Sequence, residues 1–377
     1  MSYQFHQFNI DSFLKNYWQK KPALLKGLFK DFQDPLEADE IAGLAAEEQI
    51  ESRVVHKKQQ NWHVEHGPFE EYQVFGETDW TLLVQAVDHY SEEAAELLKP
   101  FRFIPNWRID DLMVSFSTPG GGVGAHVDQY DVFIIQGMGK RHWRVGLQQT
   151  MQKSIPHPDL LQVDGFNACI DEILEPGDVL YIPPGCPHEG YAIEPALNYS
   201  VGFRAPNQQD LLSSFADFAL QEECFNKRYT DPELQATQSP GLITEAETQK
   251  LVGLVKETLS QSDSVEQWLG CYLTQAKHEL AIEEVEPAYL PEDLSEMLQQ
   301  IAIWNRLGGL RCLLLADKFF VNGEFIPTEK QQRPFITFLS NHEVYASSDL
   351  NHYLTIEENQ QLLLALVNEG FIYPLED

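Results

Sequence analysis

His126, Asp128 and His188 are the residues of this chain whose types and spacing could support redox chemistry. Side chains two apart on a β-strand point to one face. In the stretch GAHVDQ, His126 and Asp128 can therefore meet one metal ion while Val127 turns away. His188 closes a second signal, the segment PGDVLYIPPGCPH over residues 176–188. Two histidines and one carboxylate with open positions form the ligand set of non-haem Fe(II) oxygenases. A lone His-x-Asp says little, and a histidine in a Pro-rich turn is commonly a surface residue; the two segments together specify a metal centre. Zinc would accept the same ligands, but structural zinc takes four.

Arg141 follows on the next strand-like run, where Arg141, Trp143 and Val145 share one face and Lys140, His142 and Arg144 the other. A guanidinium facing a metal cavity is costly unless an anion meets it. Its planar fork suits a carboxylate held bidentately. A 2-oxo dicarboxylate fits both ends, the keto acid on the metal and the distal carboxylate on Arg141, with Ser115 able to donate a hydroxyl to it. Taken singly, Arg141 also reads as a surface strand residue in an ordinary ion pair, and Ser115 as a sheet serine.

These residues need a sheet to carry them. From 110 to 206, short β-branched and aromatic runs alternate with Gly and Pro breaks, such as PGGG at 119–122 and PPG at 183–185. That pattern predicts a sandwich or barrel; with the metal pattern on it, a double-stranded β-helix (jelly roll) is favoured. Ahead of it the spacing predicts a helix capped by Asp11 and ended by Lys20-Lys21-Pro22, and a second near Asp39. Strands are expected over 50–56 and 61–65, then a long helix over 78–98 with Leu82, Leu83, Ala86 and Val87 in its buried stripe. Beyond 207 the chain turns helical, over 210–223, 242–259 and 265–282, a block expected to bury a face by dimerisation. The last part predicts a hairpin at Asn322-Gly323, a capping box at Thr355 opening a helix, and a strand over 371–373. Helices beside such a hairpin suggest a winged helix, with too few Lys and Arg for DNA.

The chain has 377 residues, enough for two or three domains. Its 58 acidic against 26 basic residues give a formal charge of -32. That charge disfavours direct nucleic-acid binding and either draws a basic partner or simply keeps the chain soluble. The five scattered cysteines form no C-x-x-C, which argues for a reducing compartment and against a zinc cluster. No membrane span or leader is evident. A cytoplasmic protein is expected.

Residues 113–133 (MVSFSTPGGGVGAHVDQYDVF) resemble the bacterial ribosomal-oxygenase branch of the Jumonji C (cupin-4) family, and FLKNYWQKKP at 13–22 resembles its N-terminal signature. The resemblance implies an α+β chain: a Jumonji C catalytic domain over 1–206 with a helical cover, a helical dimerisation domain over 207–288, and a winged-helix-like domain over 289–377. It implies Fe(II) at His126, Asp128 and His188, and 2-oxoglutarate contacts at Ser115 and Arg141, with Asn198 and Ser200 also at the cavity. Many Jumonji enzymes carry Lys where Arg141 stands, so Arg points to this branch. The activity implied is hydroxylation of an arginine β-carbon in a basic large-subunit ribosomal protein by a homodimer. Rival readings are a histidine hydroxylase or lysine demethylase of the same family, a cupin isomerase without 2-oxoglutarate, and a non-enzymatic acidic scaffold for ribosomal proteins.

Overall fold

The computed structural model describes residues 2–59, 61–222 and 225–375. Glu223, the expected end of a helix, Cys224, and Asp377, the expected end of the last domain, lie outside the described residues. The chain divides into two compact units, the first comprising residues 1–205 with 277–281 and 307–309. This unit opens with α1 (Ile10–Asn16), β1 (Ala23–Leu25), α2 (Ala38–Leu44), β2 (Ser52–Lys58), β3 (Asn61–His66), β4 (Trp80–Val84) and the single turn α3 (Glu92–Ala95). There follow β5 (Ile109–Ser117), β6 (His126–Val127), β7 (Asp131–Gln136), β8 (Arg141–Gly146), β9 (Gln152–His157), β10 (Leu160–Asp164), β11 (Ala168–Leu174), β12 (Val179–Ile182), β13 (Pro187–Ala192) and β14 (Ala196–Phe203).

These strands form the two antiparallel sheets of a jelly roll. One has eight strands in the order β1-β12-β7-β14-β5-β4-β2-β3, the other six in the order β11-β8-β13-β6-β10-β9. Alternation decides what each face does. On β7, Phe133 and Ile135 join an outer core with Phe13, Ile41, Phe101, Tyr181 and Phe203, while Val132 and Ile134 turn inward toward Trp143, Val145 and Leu180. On β5, Leu112 and Val114 pack outward, whereas Asp111, Met113 and Ser115 line the interior. The outer layer is heavily aromatic, and each such ring contributes about 1.5–3 kcal/mol on burial. It clamps the eight-stranded sheet from outside, so the inner face can spend positions on polar groups.

Burial on both faces also explains the largest departure from expectation. Residues 80–84 (WTLLV) are a strand, not the start of a helix over 78–98. β4 lies between β5 and β2, with all five residues buried. A strand covered on both sides loses its two-residue alternation and reads as a continuous apolar run. Only short 3-10 turns and α3 follow it. The first helix is capped by Asn9, whose side chain accepts from the Ser12 N–H, and Asp11 lies inside its first turn.

The second unit holds residues 206–276, 282–306 and 310–377. Its elements are α4 (Gln208–Gln221), α5 (Glu245–Leu259), α6 (Ser262–Thr274), α7 (Pro291–Gln300), β15 (Ile303–Arg306), β16 (Cys312–Leu315), β17 (Lys318–Val321), β18 (Glu324–Ile326), α8 (Arg333–Asn341), β19 (Val344–Ala346), α9 (Ser347–Tyr353), α10 (Glu357–Asn368) and β20 (Ile372–Pro374). Two three-stranded sheets form, β19-β15-β20 and β16-β17-β18. The hairpin β17–β18 turns at Asn322-Gly323 with φ of 48° and 85°, the positive pair that a type I′ turn requires. α6 packs on α4 through Trp268, whose indole N–H donates to Ser214 Oγ at 3.0 Å. Two expected boundaries fail. α6 ends at Thr274 instead of running to 282: the backbone turns extended at Gln275 (φ -60°, ψ 127°), where the buried Thr274 hydroxyl accepts the Gly323 N–H of the β17–β18 turn at 3.0 Å. α10 is preceded by Ile356 with no side-chain cap, so Thr355 caps nothing. Among the described residues no helix is long and apolar enough to cross a membrane.

Candidate metal centre

β6 and β13 pair directly, with His126 opposite His188, and Asp128 follows β6 at once. The ring centroids stand 4.2 Å apart. His126 Nδ1 lies 3.0 Å from the Gly124 carbonyl and His188 Nδ1 3.1 Å from the Cys186 carbonyl. A carbonyl only accepts, so each Nδ1 carries the proton and each Nε2 keeps its lone pair. This is how metal-ligating histidines are oriented. His188 Nε2 is 3.5 Å from Asp128 Oδ2, and His126 Nε2 is 3.9 Å from Asp128 Oδ1. Ligand atoms of the three all lie within 4.8 Å of one another, a spread one ion about 2 Å from each donor can bridge. Gly124 makes the approach possible. Its φ is +82°, and a Cβ there would sit 2.1 Å from Gln162 Nε2, the amide that donates to the Val123 carbonyl.

Burial, reinforced by the neighbouring His126, pushes His188 down to about 4 from an ordinary 6.5. The imidazole is thus neutral and ready to ligate at physiological pH. The unfolded chain takes up this proton near 6.5 and the folded chain only near 4, so stability falls as pH drops through that window, by on the order of 3 kcal/mol. Urea unfolding of the metal-free protein between those pH values is expected to show a shallower decline for His188→Gln than for the native chain.

Arg141 is 4% exposed on the inner face of β8. Its Nη1 donates to Asn198 Oδ1 at 2.9 Å and approaches Ser115 Oγ at 3.4 Å, and Nη2 donates to the Gly190 carbonyl at 3.2 Å. Asn198 is itself held by Gln136, whose Oε1 accepts from Asn198 Nδ2 at 2.9 Å, so the amide oxygen faces the guanidinium. No carboxylate among the described residues pairs with Arg141, and its Nε has no partner. Desolvation alone lowers its pKa to about 10, which leaves it a cation at neutral pH without a counter-ion. Trp143, between Arg141 and Val145, lays its indole over β13. A Cβ on Gly190 would meet that ring at 2.7 Å. Gly190→Ala is therefore expected to push the indole into the cavity and cost about 1–3 kcal/mol in thermal or chemical unfolding.

His126, Asp128, His188, Ser115, Arg141, Asn198 and Ser200 all line one cavity of about 380 Å³. The sequence reading missed other residues of this wall: Asp111, Tyr130, Glu51 and His278. Asp111 shared a face with Ser115 by strand alternation, a usable signal. His278 comes from a distant segment and had none.

The JmjC domain family matches residues 96–211, and the ROXA-like winged helix family matches residues 257–373. The chain is 49% identical to the ribosomal protein uL16 3-hydroxylase of Escherichia coli (strain K12), over 98% of this chain and 99% of that one. The chain belongs to the JmjC-domain ribosomal oxygenases. A probable ribosomal oxygenase of Haemophilus influenzae is 32% identical over 83% of this chain and 81% of its own. The crystal structure of E. coli ycfD superimposes with a TM-score of 0.95 at 49% identity, covering 99% of this chain and 100% of that one. The E. coli ribosomal oxygenase in complex with cobalt and 2-oxoglutarate gives 0.92 at 47% identity, over 99% of each chain. As a JmjC oxygenase the chain is an enzyme of Fe(II) and 2-oxoglutarate, built as an α+β jelly roll with a winged helix.

Proposed function

We propose that this oxygenase hydroxylates the β-carbon of an arginine in the large-subunit ribosomal protein uL16, with His126, Asp128 and His188 holding Fe(II). The observation that carries the reading is Arg141: a buried guanidinium without a counter-ion, in the same cavity as a His-Asp-His cluster. The donor set fits the ion, since two imidazoles with free Nε2 and one carboxylate are the facial ligands of non-haem iron. Bound Fe(II) supplies the redox chemistry that couples oxidative decarboxylation of 2-oxoglutarate by O2, giving succinate and CO2, to insertion of oxygen into a C–H bond.

The chain's own residues do the positioning. Arg141 and Ser115 hold the distal carboxylate of 2-oxoglutarate, and the charge-assisted contact selects a dicarboxylate over a monocarboxylate. Asn198, locked by Gln136, keeps the guanidinium from swinging out of line. Val132, Ile134 and Trp143 keep the floor apolar and exclude water. Asp111, 6% exposed on the same face of β5 as Ser115, supplies negative charge for the incoming arginine side chain.

A net charge of -32 draws a basic ribosomal protein toward the chain, an attraction that salt weakens. Such a substrate implies work in the cytoplasm, on protein and not on nucleic acid. Residues 207–288 serve as the dimerisation block. α5 buries none of its side chains, and Leu251, Val252, Val255 and Leu259 are exposed on it, a face that a second copy would cover.

The test is incubation with purified uL16, Fe(II) and 2-oxoglutarate followed by peptide mass analysis. One added oxygen on an arginine is expected. An added oxygen on a histidine, or loss of methyl groups from lysine, would overturn the reading.

A further inference from the structure

His278 stands in the catalytic unit although it follows α6 in the chain, since residues 277–281 belong to that unit. Its imidazole lies between two carboxylates. Nε2 is 3.4 Å from Asp111 Oδ2, and Nδ1 is 3.6 Å from Glu51 Oε2. The ring meets His89 edge-on at 6.0 Å between centroids. Asp111 Oδ2 also accepts the Ala86 N–H at 3.1 Å. Both contacts therefore fall on one oxygen, and Oδ1 receives no hydrogen bond from the described residues.

We propose that His278 is a positioning residue for substrate: it fixes the Asp111 carboxylate so that Oδ1 faces the cavity and receives the target guanidinium. A carboxylate rotates readily about its last torsion, whereas a guanidinium is gripped well only in the plane of its partner. Two contacts on Oδ2 remove that rotation before substrate arrives. This inference rests on the reading of the cavity as an arginine pocket.

A purely structural histidine would not couple to substrate, and charge separates the two cases. The charged groups acting on His278 are Asp111, its neighbour Lys277 and Glu51, and its ring meets that of His89. Asp110 is already taken by Lys277 at 2.8 Å and Arg204 at 3.2 Å. Asp111 raises the His278 pKa above its ordinary value, against the effect of burial. Protonated His278 is then a rival cation for Asp111. Neutral His278 still packs its Nε2 edge against Asp111 Oδ2 but does not compete. Arginine binding should therefore strengthen as pH rises through the His278 titration.

The experiment measures KM and kcat for purified uL16 from pH 6 to 8.5, with thermal melts and 2-oxoglutarate affinity alongside, in the native enzyme, Asp111→Asn, His278→Ala and His278→Gln. Asp111→Asn is expected to raise KM by about thirtyfold or more, and His278→Ala by about tenfold, the scale of one hydrogen bond to a charged group. His278→Gln keeps a donor and should recover most of that loss, and both His278 variants should flatten the pH dependence of KM. In all of them 2-oxoglutarate affinity should hold. If Asp111→Asn leaves KM unchanged, the arginine-pocket reading fails and this inference fails with it. If Asp111→Asn raises KM while the His278 variants alter only melting, the pocket stands and the positioning role of His278 is overturned.

Discussion

Asp128→Ala is expected to abolish succinate formation, with or without uL16. Asp128 supplies the only negative charge among the three clustered groups, and its carboxylate is the one that reaches toward both imidazoles, at 3.5 and 3.9 Å. With it gone, two histidines would have to hold a divalent cation alone. Loss of a supporting outer group already costs about 10–100-fold in metal affinity, so loss of a ligand should exceed about a hundredfold. The substitution is also a clean one. The structural contact of Asp128 is its backbone carbonyl, which accepts the Gly185 N–H at 2.8 Å and survives truncation of the side chain. Melting of the metal-free protein should therefore change little while Fe(II) binding collapses, and equilibrium dialysis reads the second directly.

Arg141→Met should separate binding from stability. Removing the guanidinium removes the hydrogen bonds to Asn198 and Gly190, each a loss. It also removes a buried cation with no counter-ion, a gain when an apolar chain of similar volume replaces it. The two largely cancel, so the melting temperature without 2-oxoglutarate should hold or rise. 2-Oxoglutarate affinity should fall by about 10–100-fold, the worth of a hydrogen-bonded charge contact. Calorimetric titration with Mn(II) in place of Fe(II) measures it without turnover. Arg141→Lys should recover little, because one ammonium cannot match a fork already seated on Asn198 and Gly190. Unchanged affinity in Arg141→Met would remove the residue from the co-substrate site, and with it the main physical reason for a dicarboxylate here.

Much of the centre was legible because strand alternation is a rigid rule. It put His126 with Asp128, set Arg141 and Trp143 on one face, and would have added Asp111 to Ser115 had it been followed four residues further back along β5. The jelly roll was legible from the spacing of Gly and Pro breaks, and the Asn322-Gly323 hairpin from its turn chemistry. Two kinds of information were not local. β4 is buried on both faces because helices cover the eight-stranded sheet outside and the cavity wall lies inside, and a run without alternation does not declare its period. His278 looked like a residue inside a helix over 265–282. The helix stops at Thr274, whose burial is set by packing against β17 and β18, and the segment so freed reaches the cavity. Such a stop leaves no mark in a pattern of apolar residues.

Anaerobic titration of the Fe(II)-loaded protein with 2-oxoglutarate tests the centre most directly. 2-Oxoglutarate chelated to Fe(II) gives a visible charge-transfer absorption. That band should grow to a single-site end point in the native chain, need a higher concentration in Arg141→Met, and be missing in Asp128→Ala. A band of full strength in Asp128→Ala, or none in the native chain, would contradict the assignment of iron to His126, Asp128 and His188.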